Sequence, residues 1–557
     1  MFYTEPMDWR RFLDHQTKTI TQAGSILAFS AFLSRVLGVI RDWLLAQRFG
    51  ASPELDVYFT AFKIPDFVYN LLILGGVLVA FLPIFSELYS KDSKKAWRFT
   101  SNALNIFFLM LVLLSFALFL FTPRLLDVIA PGFSIQQKQQ AVLLTRIMFL
   151  SPIFFGLSAI FSGILQYFNR FLVYSLCPLL YNLGIIFGIL FLAPHWGILG
   201  VTFGVVGGAF LHFIIQIPSA LKCGFSYQPV IDLKDSRIKK AFFLMVPRTF
   251  GVAASQINLI AMNAIASTLA VGSVSIFNFA NNIQHFPIGI VGASFAMAAF
   301  PVLSKKWAER KEQEFTDRFS SVFRQVVYLI VPVSILIFIL REEIVTLLLR
   351  HGEFSALSAR LTSSSLAFFC LGIFASALIP LLFRAFFSLK DTKTPTLIAF
   401  SSVLANIVLS LYFTDLFKNP QSCIQKGVVV ILWSAFSFPP WTDISVLGLP
   451  LAASISAILQ FLLMFVFLVS KIKRLKMGEI LKSAIKVLIA SFFSGVIASA
   501  ASLFLPHFVD SGRLIGAVIR ILIIGFLGAS SYLIFTYFLK SPEIEKIRSL
   551  IFKRVKE

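Results

Sequence analysis

The most charged stretch of apolar sequence is Ser34-Arg35-Val36-Leu37-Gly38-Val39-Ile40-Arg41-Asp42, set inside a run from about Ala23 to Phe49. If that run crosses a membrane, each cation at depth costs roughly 2.5–3.5 kcal/mol. Two arrangements offset such a cost: an internal ion pair, or an aqueous cavity that receives an anionic ligand. On a helix, Arg35 and Asp42 share one face, and Arg41 and Arg48 share another. Asp42 is therefore expected to neutralise the first stripe, leaving the second positive. The alternative for Arg41 and Arg48 is that their heads snorkel to the outer surface.

Other polar groups interrupt apolar sequence in the same manner. Lys63 and Asp66, in Ala61-Phe62-Lys63-Ile64-Pro65-Asp66-Phe67, are spaced as a helical pair, and Pro65 frees a backbone carbonyl beside them. Such a break is tolerated at depth only beside protein or water. The pair suits a structural role and a substrate-facing one equally. Asp56 opens the same span, and Gly75-Gly76 marks a hinge or a close-packing point. Arg248, in Val246-Pro247-Arg248-Thr249-Phe250-Gly251, puts a cation in the seventh span. Asn278, Asn281, Asn282, Gln284 and His285 form a polar band in the eighth, which favours a hydrated interior. We expect His285 to be packed and neutral. Asp391, in Lys390-Asp391-Thr392-Lys393-Thr394-Pro395, either starts a helix or ligates a cation. The sequence has no Gly-rich phosphate loop, nucleophile elbow or metal-ligand spacing, so we expect a transporter without cofactor or ATP use.

The elements that must position these groups are membrane helices. The 557 residues are 57% hydrophobic with a mean hydropathy of +0.84, yet carry a net charge of +22. That combination indicates an all-α polytopic membrane protein. Apolar runs long enough to cross give about fourteen spans. Basic residues concentrate in alternate connections, around Lys91–Arg98, Lys222–Lys240, Lys305–Arg318 and Lys471–Lys482. This positive-inside pattern puts both termini in the cytoplasm and assigns the basic excess to topology instead of nucleic acid. The first span is read as retained, not as a cleaved signal. The four dispersed cysteines are expected to be free thiols. Val428 to Phe438 is apolar but too short to span.

Three echoes recur in order along the chain. Phe81-Leu82-Pro83-Ile84-Phe85-Ser86 is matched by Phe300-Pro301-Val302-Leu303-Ser304, and Ala130-Pro131-Gly132-Phe133-Ser134 by His351-Gly352-Glu353-Phe354-Ser355. Gln166-Tyr167-Phe168-Asn169-Arg170 is matched by Arg384-Ala385-Phe386-Phe387-Ser388. They point to two parallel six-span repeats. The expected organisation is a cytoplasmic segment 1–22, a first lobe 23–222, a linker 223–240, a second lobe 241–471, an accessory helix pair 472–540 and a basic tail 541–557.

Ser34-Arg35-Val36-Leu37-Gly38 through Arg41-Asp42, Phe49-Gly50, Asp56, Ala61-Phe62-Lys63-Ile64-Pro65, Ala130-Pro131-Gly132-Phe133, Asn169-Arg170-Phe171 and Asp391-Thr392-Lys393-Thr394-Pro395 together resemble the MurJ (MviN) family. These are lipid II flippases of the multidrug/oligosaccharidyl-lipid/polysaccharide exporter superfamily. The resemblance implies two six-helix lobes in a V around a central cationic cavity, with two accessory C-terminal helices forming a groove for a polyprenyl tail. It also implies alternating access driven by membrane potential or a coupling cation. Arg35 and Arg41 inherit the headgroup role, with Lys63, Asp66, Arg248 and Asn282 as further candidate substrate contacts. Asp42, Asp56, Pro65, Gly75 and Gly76 are structural or gating candidates. Guanidinium forks suit diphosphate. The implied partners are lipid II (a polyprenyl-diphosphate disaccharide-peptide), membrane lipids and cell-wall synthesis proteins, at the bacterial inner membrane.

The chain departs from the family pattern at several cavity positions. Tyr69-Asn70 stands where members commonly carry an arginine pair, Leu74 where an acidic residue follows, and Asn282 where an arginine is usual. Arg248 is the candidate for compensation. The rival expectations are a flippase for another polyprenyl-diphosphate glycan, a cation-coupled drug antiporter, which would prefer an acidic cavity, and a noncatalytic membrane scaffold.

Overall fold

The computed structural model describes residues 19–71, 78–472, 475–505 and 514–544, with the side chains of 20, 21, 78, 79, 244, 246–252 and 514 outside that description. The described residues form helices and turns, without strands. The chain divides into two compact units, Met1–Thr268 and Leu269–Glu557. The first contains α1 (Ile20–Phe49), α2 (Pro53–Ala61), α3 (Lys63–Val68), α4 (Leu78–Lys91), α5 (Ser93–Ile129), α6 (Ile135–Met148), α7 (Leu150–Tyr167), α8 (Phe171–Phe187), α9 (Ile198–Ile214) and α10 (Ser236–Ser267). The second contains α11 (Ser273–Pro287), α12 (Ser294–Ala308), α13 (Glu312–Ile339), α14 (Arg341–Leu349), α15 (Ala356–Cys370), α16 (Ile373–Ser388), α17 (Lys393–Lys418), α18 (Cys423–Ala435), α19 (Gly448–Lys471), α20 (Met477–Phe504) and α21 (Leu514–Phe538).

Among the described residues, eleven helices are long and apolar enough to cross a membrane, and α15 with α16, bent by 49°, supplies a twelfth. The other two expected spans fall on α2–α4, whose course runs through residues 72–77 outside the described set, and on α10. The 32-residue α10 is long enough to cross, but Arg248, Gln256, Asn258 and Asn263 lower its hydropathy. The short α18 covers most of the apolar piece read as too short to span.

Glycine sets the tightest packing in the first unit. A Cβ on Gly188 would lie 2.8 Å from Gly204 Cα, and one on Gly204 would lie 2.7 Å from Gly188 Cα. Together with Gly184 and Gly208, this spacing lets α8 and α9 cross backbone to backbone, the use of small residues typical of membrane interfaces. The opposite side of α8 packs on α1. Elsewhere in the unit, Phe81, Phe85, Trp97, Phe99 and Phe225 build an aromatic core around α4, α5 and α7.

The two units share a local turn. Phe168-Asn169-Arg170 closes α7 with Asn169 at φ 56° and Arg170 N–H donating to Leu165 O at 2.8 Å. Leu389-Lys390-Asp391 closes α16 with Lys390 at φ 59° and Asp391 N–H donating to Phe386 O at 3.0 Å. The backbone equivalent of Asn169 is therefore Lys390, so the third echo is three residues out of register. Its aromatic letters matched before the turn itself did.

In the second unit, the last two helices are fastened by buried polar groups that their apolar sequence did not signal. Arg520 Nη2 donates to Glu343 Oε1 at 2.6 Å, with both side chains only 9% exposed. Glu543 accepts from Ser483 at 3.0 Å and from Ser541 at 2.6 Å, and lies 3.6 Å from Arg324. Removing one member of a buried pair strands the other charge, whereas replacing both with apolar groups is close to neutral. Glu343→Ala is therefore expected to lower stability by about 3–5 kcal/mol, and the double variant Glu343→Leu/Arg520→Leu to recover most of it. Chemical unfolding in detergent micelles checks both.

Candidate functional site

The site starts from α1, a 30-residue helix entered through Thr19, whose hydroxyl accepts from Gln22 N–H, and closed at Gly50, which takes φ 62°. Its arginine stretch faces α8. Arg41 Nε and Nη2 donate to Asp42 Oδ1 at 2.9 and 2.8 Å, and Arg41 Nη1 donates to Asn182 Oδ1 at 3.3 Å. Asn182 is itself fixed, because its amide donates to Ser34 Oγ, Ser34 O and Pro178 O at 3.2–3.3 Å. A further bond from Ser30 to Ser175 O ties the same two helices.

These contacts add a partner that the spacing did not predict. The seven-residue spacing assigned Asp42 to Arg35, and Asp42 also accepts from its sequence neighbour Arg41. The long guanidinium stem bends back along the helix, a reach that face-counting by Cβ direction ignores. Arg41 does not snorkel: its side chain is 25% exposed and is held inside the unit. Arg48 is exposed in the last turn of α1, where a cation complements the helix C-terminus. Arg35 is half-buried about 1.7 turns before Arg41 on the same helix.

Beside the arginine helix, α2 and α3 form a broken span. Ser52 caps α2 by accepting from Leu55 N–H, Pro53 occupies the first turn and Asp56 is buried there. Proline at 65 cannot donate to the carbonyl four residues back. That carbonyl, Ala61 O, is taken instead by Thr145 Oγ1 at 3.3 Å. Asn263 of α10 reinforces the break, donating to Thr60 Oγ1 at 3.2 Å and to Ile129 O at 3.1 Å. Asp66 then emerges exposed into a narrow recess lined by Phe62, Tyr69, Phe155 and Tyr181. Its charge interacts with those of Lys63 and Arg41, and Arg41 also acts on Tyr58 and Tyr181. The first unit thus gathers Arg41, Asp42, Lys63 and Asp66 into one charged region.

Tyr69 and Asn70, at the positions where the family motif carries arginines, have structural partners. The Tyr69 ring lies 4.7 Å from that of Phe155, and Asn70 Nδ2 donates to Asp66 O at 2.8 Å. Leu74, Gly75 and Gly76 lie outside the described residues, as does the side chain of Arg248, although its backbone belongs to α10. In the second unit, Asn282 is exposed on α11, Asn278 donates to Val274 O at 2.7 Å and Gln284 donates to Asn281 Oδ1 at 2.9 Å. His285 lies on the same face of α11 as Asn282 and Phe286. Asp391, the candidate cation ligand, pairs with Lys471 and accepts from Thr394 N–H at 3.0 Å, capping α17. Among the described residues, no group of three or more His, Cys, Asp or Glu side chains could hold a metal ion.

Sequence reasoning missed Asn182, Tyr58, Tyr181 and Thr145. A lone asparagine within Tyr181-Asn182-Leu183-Gly184, in an apolar helix, was the available signal for the first of these.

The family model described as lipid II flippase MurJ matches residues 45–518. A probable lipid II flippase MurJ of Buchnera aphidicola subsp. Schizaphis graminum is 29% identical over 521 residues, covering 91% of this chain and 94% of the relative. A lipid II flippase MurJ of Burkholderia cenocepacia is 28% identical over 425 residues, covering 74% and 82% respectively. Among solved structures, lipid II flippase MurJ in an inward closed conformation superposes with a TM-score of 0.72 at 27% identity, covering 92% of this chain and 98% of that one. An inward-facing multidrug resistance MATE family transporter of the MOP superfamily gives 0.62 at 13% identity, a likeness of fold alone.

Two outcomes test the local chemistry. Thr145→Val preserves shape but leaves Ala61 O without its donor, and unfolding measurements should show a loss of about 1–3 kcal/mol. At Asp391, burial acts to raise the carboxyl, but the hydrogen bonds from Lys471 and Thr394 outweigh it and hold it below the ordinary range. A depressed folded-state value contributes stability above the unfolded value of about 3.9, which is lost as pH falls through the folded one. Asp391→Asn should therefore melt below wild type at neutral pH, with the gap closing only in strong acid.

Proposed function

Because the chain belongs to the lipid II flippase MurJ family, we propose that Arg41, oriented by Asp42 and Asn182, is the principal receptor for the diphosphate of its cargo. The protein is a multi-pass membrane transporter, not an enzyme, and its function is to flip lipid II. The observation that carries the proposed site is the occupancy of the guanidinium fork. Of the five N–H groups a guanidinium offers, Asp42 and Asn182 engage three. The two left over are held in a fixed orientation on a side chain that is 25% exposed. A phosphate oxygen meeting them gains charge-assisted bonds without the cost of ordering a free side chain.

Arg35 serves as the second cation on the same helix, and Lys63 with Asp66 tunes the charge of the recess. Arg248 supplies charge that the family usually draws from positions held here by Tyr69, Asn70 and Asn282. Neutralising Arg41 by ion pairing in the unloaded state and recruiting it to diphosphate in the loaded one gives the cavity two states of similar cost. Membrane potential or a moving cation then needs to bias only a small difference between them. The basic connections support a bacterial cytoplasmic membrane location with both termini on the cytoplasmic side. Proteins of cell-wall synthesis are the natural neighbours of such a cargo.

Complementation of bacterial cells depleted of their lipid II flippase tests this reading at matched membrane expression. Wild type should rescue, Arg35→Ala and Arg41→Ala should fail, and Asn182→Ala should retain partial function with flipping slowed about tenfold. Arg248→Gln should also slow flipping. Full activity of Arg41→Ala would remove the cationic mechanism, and full activity of Arg248→Gln would remove the compensation.

A further inference from the structure

In the second unit, α12 and α13 are joined by the basic turn at residues 309–311 and pack along each other, yet the seam between them is not filled. It opens into a crevice of about 420 Å³, lined on one side by Phe295, Ala298 and Val302 and on the other by Arg318, Val322 and Gln325. The residues on each helix recur at helical spacing, so the crevice is the gap between two facing stripes. Ala298, Val302 and Arg318 are exposed, which leaves it open to the surrounding medium.

The charges nearby make Arg318 distinctive. Lys305 and Lys306 pair with Glu309, Lys306 and Lys311 with Glu314, Lys476 with Asp317 and Glu479, and Arg324 with Glu479 and Glu543. Arg318, among the described residues, makes no ion pair and no hydrogen bond, and it stands at the mouth of an apolar space. Gln325, deeper in, donates to Ser321 Oγ at 3.1 Å, which leaves its carbonyl oxygen directed by a fixed amide. The arrangement is one unpaired cation at the rim, one amide and an apolar interior bounded by an alanine.

We propose that this crevice binds a single anionic glycerophospholipid, with the phosphodiester on Arg318 and an acyl chain between α12 and α13. Its volume lies in the range of sites that hold a small ligand or part of a larger one. One guanidinium matches the single charge of a phosphodiester, whereas a diphosphate calls for more donors than this rim offers. The surrounding basic connection favours anionic over zwitterionic lipid at the same membrane face. The site is built from residues of the second unit alone, and its test reads a lipid other than the cargo.

Native mass spectrometry of the full-length protein in detergent, titrated with phosphatidylglycerol or phosphatidylcholine, tests the assignment. Wild type should retain one phosphatidylglycerol in preference to phosphatidylcholine. Arg318→Gln should weaken that retention about fivefold, the equivalent of about 1 kcal/mol for one cation near a lipid surface. Ala298→Phe, at an exposed position, fills the crevice without changing charge and should weaken it comparably, with thermal unfolding confirming that both variants fold. If Arg318→Gln weakens retention and Ala298→Phe does not, the charge acts at an open surface and the crevice is not a site. If neither variant matters, the proposal fails. Displacement of phosphatidylglycerol by equimolar polyprenyl diphosphate, with the same sensitivity to both variants, would overturn the phospholipid assignment in favour of the isoprenoid.

Discussion

A guanidinium inside an apolar helix must be neutralised, solvated or bound, and the first unit is arranged around that requirement at Arg41. Asp42 supplies the opposite charge and Asn182 supplies direction. The ion pair alone would be tolerable but featureless, because a carboxylate on the next residue can rotate with its partner. The amide on a second helix converts a paired charge into an aimed one. Its own donors are committed to Ser34 and Pro178, so it cannot turn its nitrogen toward the arginine. Specific placement of a cation thus rests on a neutral residue.

The same economy of polar groups governs the broken span formed by α2 and α3. Proline removes one donor, and a hydroxyl from α6 replaces it. Asn263 and Thr60 bridge α10 and α2 nearby, so the interruption is enclosed by partners from three helices. What reaches the recess is the carboxylate of Asp66, not loose backbone. In the second unit, ionic groups serve a different end. Glu343 with Arg520, and Glu543 with Ser483 and Ser541, fasten the accessory helices to their neighbours where apolar side chains alone would leave register undetermined. In lipid, apolar faces do not choose their partners strongly, so such polar contacts carry more of the specificity.

Hydropathy and loop charge made the helical membrane class, and most of the spans, legible in the sequence. Membrane thickness imposes a length on each apolar run, and that constraint is local. Of the two spans that escape a simple apolar criterion, one is broken into short helices around Pro65 and runs through residues outside the described set, and the other carries Arg248, Gln256, Asn258 and Asn263. Arg41 stood out in the sequence by its place inside an apolar run, but its partners did not. Asp42 was assigned to Arg35 by spacing, which predicts faces, and the bonds it accepts from Arg41 depend instead on the reach of a long side chain. Asn182 lies 141 residues from Arg41, and no local rule connects them. Likewise, Pro65 announced a free carbonyl, yet only the packing of α6 identified Thr145 as its donor.

The glycine-lined crossing of α8 and α9 bears on how motion is transmitted. Where side chains interdigitate, small displacements are absorbed by rotamer changes before they reach a neighbouring backbone. Between Gly188 and Gly204 there are no side chains to act as such a cushion, and the two main chains bear directly on each other. A tilt of α9 must therefore carry α8 with it as a stiff lever. Asn182 stands on that lever two residues from Gly184, so the amide that aims Arg41 moves in step with α9.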